Sequence, residues 1–108
     1  MRRGWAEFLG LAGALLATVA GAQQEGDPAA GRRLAEAWCS GCHVIGPGVS
    51  GPVVDATPTF PSIARMPSTT GTSLRALLLT PHSRMPDLQM SREPTDDVVA
   101  YILSLRGR

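Results

Sequence analysis

The chain has 108 residues, with ten basic and nine acidic side chains and a formal charge of +1. All ten basic residues are arginine, and no stretch interleaves basic with aromatic residues, so nothing indicates nucleic-acid binding. The two cysteines are separated by only two residues and cannot supply the several disulfides that stabilise many small exported domains. This length allows one small domain at most.

The N-terminus has the three-part layout of a secretory signal peptide. Residues 2–3 are arginines, residues 8–19 are apolar, and residues 20–22 are the small side chains that a signal peptidase reads. The apolar stretch is shorter than the about 20 residues that span a bilayer, although an uncleaved membrane anchor is the alternative. We therefore expect a signal peptide over residues 1–22 and an exported domain over residues 23–108.

Cleavage after Ala22 would leave 86 residues, a length at which a chain buries only a modest share of its surface. This part contains one residue of each large aromatic type: Trp38, Phe60 and Tyr101. Folds of this size usually need a staple or a bound group to complete the core. We therefore expect a large cofactor to supply part of the core.

The first predicted helix runs from residue 28 to about residue 40. Asp27 is a good N-cap, and the proline after it suits the first helical position, where an N–H has no intrahelical partner. Leu34, Ala35 and Trp38 fall on one face at helical spacing. This spacing is typical of a helix with one apolar face.

Two shorter helices are predicted in the middle of the chain. The first covers residues 60–66 and ends at Pro67. The second is predicted to be capped by Thr72 or Ser73 and to end near residue 80. Its apolar face consists of three leucines: Leu74, Leu77 and Leu78.

The last predicted helix is capped by Ser91 and carries Pro94 in its first turn, where proline is tolerated. Asp96 and Asp97 lie near its N-terminal end, where the helix dipole favours negative charge. Its apolar surface consists of five residues: Val98, Val99, Ile102, Leu103 and Leu105. Because no stretch alternates as a half-buried strand does, we predict an all-α domain of three main helices and a short fourth, joined by long loops.

Residues 39–43 read Cys-Ser-Gly-Cys-His and match C-x-x-C-H, the attachment signature of c-type haem. The spacing has a physical reason, because the two thiols must reach two vinyl groups of one porphyrin and the next side chain must project towards the iron. We predict that Cys39 and Cys42 bind one haem c covalently and that His43 is an iron ligand. An export signal would deliver the chain to where such haem is attached in bacteria.

Three other interpretations of the cysteine pair are weaker. A structural zinc site normally needs four ligands, and no second Cys or His pair occurs at suitable spacing. A thioredoxin-like pair should follow a strand in an α/β pattern, which is absent from the sequence. A disulfide across two residues would be strained and would close almost no loop.

Four side chains downstream could provide the sixth iron ligand: Met66, His82, Met85 and Met90. Met85 is the best candidate, because it lies 42 residues after His43 in a loop that Pro86 stiffens. Met/His ligation raises the reduction potential of a haem and suits fast electron transfer. His82, Met90 or an open site are the alternatives.

The haem signature at residues 39–43 and the loop around Met85 resemble those of the small bacterial class I cytochromes c. The resemblance extends from Gly31 to Leu105. It implies the small cytochrome c fold, with the helices wrapped around one haem. It also implies that Gly31 lets the first and last helices cross closely and that Tyr101 packs at this crossing. Pro52 resembles the loop proline whose carbonyl accepts a hydrogen bond from the His43 ring.

Two features depart from the family pattern. Met90 stands where the family usually has leucine, so it is predicted to be a core residue, although it adds a rival ligand. The ring of lysines through which mitochondrial-type members dock is absent, because the chain has no lysine. Docking would therefore use arginine or be largely apolar.

The resulting hypothesis is a monomeric periplasmic protein that transfers single electrons and is not itself an enzyme. Its partners would be a periplasmic or membrane dehydrogenase as donor and an oxidase or another cytochrome as acceptor, and it would act as a free carrier or as a haem subunit of such a system. The main alternative is a haem-based ligand-binding or sensor domain whose sixth ligand is displaced. Peroxidase chemistry is less favoured, because no distal Arg/His pair is evident.

Overall fold

The computed structural model describes residues 26–48, 57–81, 85 and 87–107. Within these ranges the chain forms four helices and no strand, which confirms the predicted all-α class: α1 Pro28–Trp38, α2 Phe60–Arg65, α3 Gly71–Leu79 and α4 Arg92–Ser104. The expected signal peptide and two residues singled out in the sequence, Pro52 and His82, lie outside the described residues.

Helix α1 begins as predicted and ends slightly early. The Asp27 carboxylate accepts a hydrogen bond from the Ala29 N–H at 3.0 Å, which satisfies one of the unpaired donors of the first turn. The helix ends at Trp38, two residues before the predicted end. There the N–H groups of Cys39 and Ser40 both donate to the carbonyl of Ala35, so the regular ladder stops.

Helix α3 begins earlier than predicted, and the expected caps Thr72 and Ser73 were wrong. Its N-cap is Thr70, whose hydroxyl accepts from the Ser73 N–H at 3.0 Å. In return the Ser73 hydroxyl accepts from the Thr70 N–H at 2.8 Å. This reciprocal capping box satisfies two donors at once and draws Ser73 into the first turn.

Helix α4 is the central element of the described fold. It packs against α1 most extensively and also contacts α2 and α3. Ser91 occupies its N-cap position as predicted, but its side chain makes no capping hydrogen bond. Six of its residues are buried: Thr95, Val98, Val99, Ala100, Tyr101 and Ile102.

The terminal helices cross at a glycine. A Cβ placed on Gly31 would collide with the backbone carbonyl of Asp97 and would lie 2.8 Å from the Tyr101 Cβ. Only a residue without a side chain permits this approach. The Asp27 N–H also donates to the Asp97 carboxylate at 2.7 Å, which ties the start of α1 to α4. The roles expected for Gly31 and Tyr101 are confirmed.

The predicted apolar faces were partly wrong. Ala35 and Leu74 are buried as expected, but Trp38 is 50% exposed and Leu77 is 43% exposed. Helical spacing identifies the residues that share a face, but it does not show how far along that face a neighbouring element extends. Met90 is buried, which confirms its predicted place in the core.

Candidate functional site

The two cysteines and His43 lie in one turn that continues from the end of α1. The N–H groups of Cys42 and His43 donate to the carbonyl of Cys39 at 3.1 and 2.9 Å. Both thiols are free: Cys39 is buried and Cys42 is exposed. Burial raises the pKa of the Cys39 thiol to about 11, because the thiolate would lose its hydration.

The His43 ring is oriented by a backbone carbonyl. Its Nδ1 lies 2.7 Å from the carbonyl oxygen of Pro58. A carbonyl can only accept, so the proton lies on Nδ1 and the lone pair of the neutral ring is on Nε2. The sequence resemblance pointed to Pro52 as this acceptor, and Pro52 lies outside the described residues; among the described residues the acceptor is the carbonyl of Pro58.

Contacts from two helices hold this turn in place. The Phe60 ring packs against the His43 ring with centroids 5.2 Å apart, and its N–H donates to the carbonyl of Val44 at 2.9 Å. The Tyr101 hydroxyl, on α4, donates to the buried carbonyl of Ile45 at 2.8 Å. The segment that follows the cysteines is therefore fixed to both α2 and α4.

Met85 lies in the connection between α3 and α4, and its side chain is half-buried. On its C-terminal side, the Asp87 carboxylate accepts from the Gln89 N–H at 3.0 Å, and Gln89 adopts a φ of 50°. This tight turn directs Met90 into the core. Of the other predicted candidates, Met66 is 46% exposed, and His82 lies outside the described residues.

The donor set fits a covalently bound haem better than the alternatives. The two thiols form no disulfide with each other. Within the part of the chain that the structure describes, no group of three or more His, Cys, Asp and Glu could hold a metal ion, which argues against zinc there. Two free thiols and a neutral imidazole with an available Nε2 are what haem attachment requires.

Sequence reasoning found the cysteines and His43 but missed Pro58, Ile45 and Phe60 as supports of the turn. The carbonyl groups of Ile45 and Pro58 could not have been found from residue type, because every residue carries one. The proline at position 58 was visible in the sequence, but so were several other loop prolines. Only the structure shows which of these carbonyls lies against the ring.

A helical domain whose first and last helices cross at a glycine, with two free thiols and an oriented histidine in one turn, defines a small class I c-type cytochrome. Residues 26–102 match the family described as cytochrome c oxidase, cbb3-type, subunit III, and the chain belongs to this cytochrome c family. It is 41% identical over 80 residues to cytochrome c-552 of Bradyrhizobium diazoefficiens, which covers 74% of this chain and 76% of that protein. No solved structure matches the chain significantly.

Family membership establishes the general activity. The cofactor is covalently bound haem c with its iron, and the protein is an electron carrier with redox-protein partners rather than an enzyme. Among the described residues, no helix is long and apolar enough to cross a membrane.

Proposed function

We propose that the chain is a periplasmic mono-haem carrier whose haem is bound through Cys39 and Cys42 and whose iron is ligated by His43 and Met85. The signal peptide is removed after Ala22, and the mature protein acts as a monomer. It accepts electrons from a periplasmic or membrane dehydrogenase and passes them to an oxidase or another cytochrome, as a free carrier or as a subunit of such a system. Mature protein that begins at Gln23 would support the export step, and an intact N-terminus would contradict it.

The hydrogen bond from His43 to Pro58 is the observation that carries this proposal. When bound, haem supplies a one-electron iron couple. The protein contributes a neutral imidazole with its lone pair on Nε2, and the 2.7 Å bond from Nδ1 to the Pro58 carbonyl fixes this tautomer and raises the basicity of the ring. The adjacent Phe60 ring restricts rotation of the imidazole.

Met85 is proposed as the second side chain that would hold the haem iron, because its surroundings restrain a weak donor. A thioether binds iron weakly, so its chain must be held in place. The turn at Asp87 and Gln89 and the buried Met90 side chain anchor the loop on one side. Met85 is itself half-buried, and it lies five residues before the buried Met90.

Spectroscopy of the ferric protein tests the Met85 assignment. We expect the weak near-infrared band of sulfur-to-iron charge transfer in the wild type and its loss in Met85→Ala. Met90→Leu is the matched control and should keep the band, because Met90 is a core residue. A band that survives Met85→Ala, or disappears in Met90→Leu, would show that Met85 is not the ligand.

Haem staining after denaturing electrophoresis tests the attachment. The wild type and Met85→Ala should both carry haem on the polypeptide, whereas Cys39→Ala combined with Cys42→Ala should give a colourless band.

Carbon monoxide binding to the reduced protein separates the carrier from a sensor, since rapid and tight binding by the wild type would indicate an open or labile sixth position.

A further inference from the structure

Helix α2 begins directly after the carbonyl group that orients the His43 ring. Pro58 provides this carbonyl, Thr59 is the N-cap of α2, and Phe60 is its first helical residue. The Phe60 N–H donates to the carbonyl of Val44 at 2.9 Å. Both neighbours of Thr59 are thus bonded to the segment that carries His43. A change in how α2 begins is therefore expected to move the acceptor of the His43 ring.

The N–H groups in the first turn of a helix have no intrahelical acceptor, so each needs another partner. In α2 the Phe60 N–H is bonded outside the helix, and the next residue, Pro61, has no N–H. The Ser62 N–H donates to the hydroxyl of Thr59 at 3.2 Å, and the Ser62 hydroxyl donates to the carbonyl of Thr59 at 2.7 Å. The turn is thus satisfied without the carbonyl of Pro58.

The Ser62 N–H is the donor that would compete with His43 for the Pro58 carbonyl. In an α-helix each N–H donates to the carbonyl four residues earlier, which for Ser62 is that of Pro58. The extended backbone of Thr59, with φ −76° and ψ 152°, makes the helix begin after this position, and the Thr59 hydroxyl accepts the N–H instead. A helical residue 59 would turn the Pro58 carbonyl along the helix axis and away from the ring.

We propose that Thr59 is a positioning residue for the imidazole: its hydroxyl takes the Ser62 N–H, so that the carbonyl before it stays available to the His43 ring. This inference rests on the proposed function, in which His43 ligates the haem iron. A hydrogen bond from Nδ1 raises the basicity of the ring, and a more basic ligand favours ferric over ferrous iron. Thr59 therefore helps to set the reduction potential without being a ligand.

Proton NMR of the reduced holoprotein tests this proposal through deuterium exchange of the His43 Nδ1–H. Thr59→Val keeps the shape of the side chain without the hydroxyl, and this exchange should become about 2–30 times faster, the factor that corresponds to a lost helix cap. Thr59→Ser keeps the hydroxyl and should show the wild-type rate. The Ser62 N–H of the wild type should exchange slowly. Exchange of this N–H as fast as in an unfolded peptide would overturn the proposal, even if the valine variant does not fold.

Thr70→Val is the matched control. Thr70 caps α3 in the same way, since its hydroxyl accepts from the Ser73 N–H at 3.0 Å. The carbonyl before it belongs to Thr69 and accepts from Arg106. This variant should therefore lose a helix cap without changing the exchange of the Nδ1–H. Equal acceleration of that exchange in Thr59→Val and in this control would overturn the proposal.

A mediated redox titration gives a second measurement and separates this inference from the proposed function. Thr59→Val should raise the midpoint potential, because a less basic imidazole stabilises ferric iron less. Thr59→Ser and Thr70→Val should keep the wild-type potential. Absence of a reversible one-electron couple in the wild type would contradict the electron carrier itself. An unchanged or lowered potential in Thr59→Val, beside a normal wild-type couple, would contradict only the role of Thr59.

Discussion

At position 31 the backbone of α1 lies against the carbonyl group of Asp97 in α4, and the missing side chain permits this approach. Nearby, Tyr101 extends from α4 towards the segment after His43, where its hydroxyl donates to the buried Ile45 carbonyl. These two residues connect the helix crossing to the site. Gly31 sets the separation of the helices, and Tyr101 holds the segment after His43.

Gly31→Ala should destabilise the protein. Helix propensity alone would favour alanine by about 1 kcal/mol, but the added methyl group collides with backbone that cannot move aside cheaply. The expected net loss in the free energy of unfolding is about 2 kcal/mol, measured by denaturant unfolding of the holoprotein. Gly71→Ala is the control, because its nearest heavy atom, 3.0 Å from the added Cβ, is at the flexible end of the Arg75 side chain. Equal stability of the two variants would contradict the close crossing.

Tyr101→Phe should lower the free energy of unfolding by about 1–2 kcal/mol, because it leaves the buried Ile45 carbonyl without this donor. Equilibrium unfolding of the holoprotein measures the change. Ser104→Ala on the same helix is the control, since its hydroxyl donates to the Tyr101 carbonyl one turn away, at 2.5 Å. An unchanged free energy of unfolding in Tyr101→Phe would show that the hydroxyl contributes little to holding the turn.

At the scale of elements, α4 is the common partner of the other three helices. Arg106, two residues after its end, donates from Nε to the Ala64 carbonyl at 2.9 Å and from a terminal nitrogen to the Thr69 carbonyl, which ties this end to α2 and to the α2–α3 connection. Near its N-terminus, Asp96 pairs with the Arg75 Nε of α3 at 2.7 Å. Polar contacts at both ends therefore reinforce the apolar packing between them.

The Arg75–Asp96 pair should contribute more than the Arg32–Glu36 pair. The first joins two helices and its side chains are 31% and 13% exposed, whereas the second lies within α1 at 52% and 49%. A double-mutant cycle with Arg75→Met and Asp96→Asn should give a coupling of about 1 kcal/mol, against about 0.3–0.5 kcal/mol for the exposed pair. A coupling energy between Arg32 and Glu36 that equals or exceeds the one between Arg75 and Asp96 would contradict this order.

At the scale of the whole molecule, the described core is small. Its large buried side chains come mainly from α4, supplemented by Phe60, Leu74 and Ile45, while several large apolar residues remain at the surface. A chain with so little aromatic content gains much of its buried area from a large cofactor. Haem attachment is therefore expected to be a condition for stable folding as well as for electron transfer.

The combined variant Cys39→Ala/Cys42→Ala should fail to unfold cooperatively. Without thioether bonds the haem is not retained, and the remaining core is too small to hold the helices together at room temperature. Thermal unfolding followed by far-ultraviolet circular dichroism measures this. Met85→Ala is the control, since it keeps the covalent haem and should still show a single transition. A cooperative transition in the haem-free variant would show that the protein core suffices.

The sequence by itself determined the features that depend on local chemistry. The spacing of Cys39, Cys42 and His43 follows from the geometry of one porphyrin, so it can be read without a fold. The cap at Asp27 and the termination of α2 before Pro67 depend only on neighbouring backbone groups. The resemblance also placed Gly31 and Tyr101 correctly at the helix crossing, because helix positions transfer between related chains more reliably than loop positions.

Only the tertiary structure decided the features that depend on distant neighbours. The carbonyl of Pro58 accepts the His43 hydrogen bond, because loop geometry selects among chemically identical carbonyl groups. Trp38 is half-exposed because helical periodicity does not show how far the opposing surface extends. Thr70 caps α3 because Ser73 completes a reciprocal pair with it. The local motif thus specified the chemistry of the site, whereas packing decided which groups orient it.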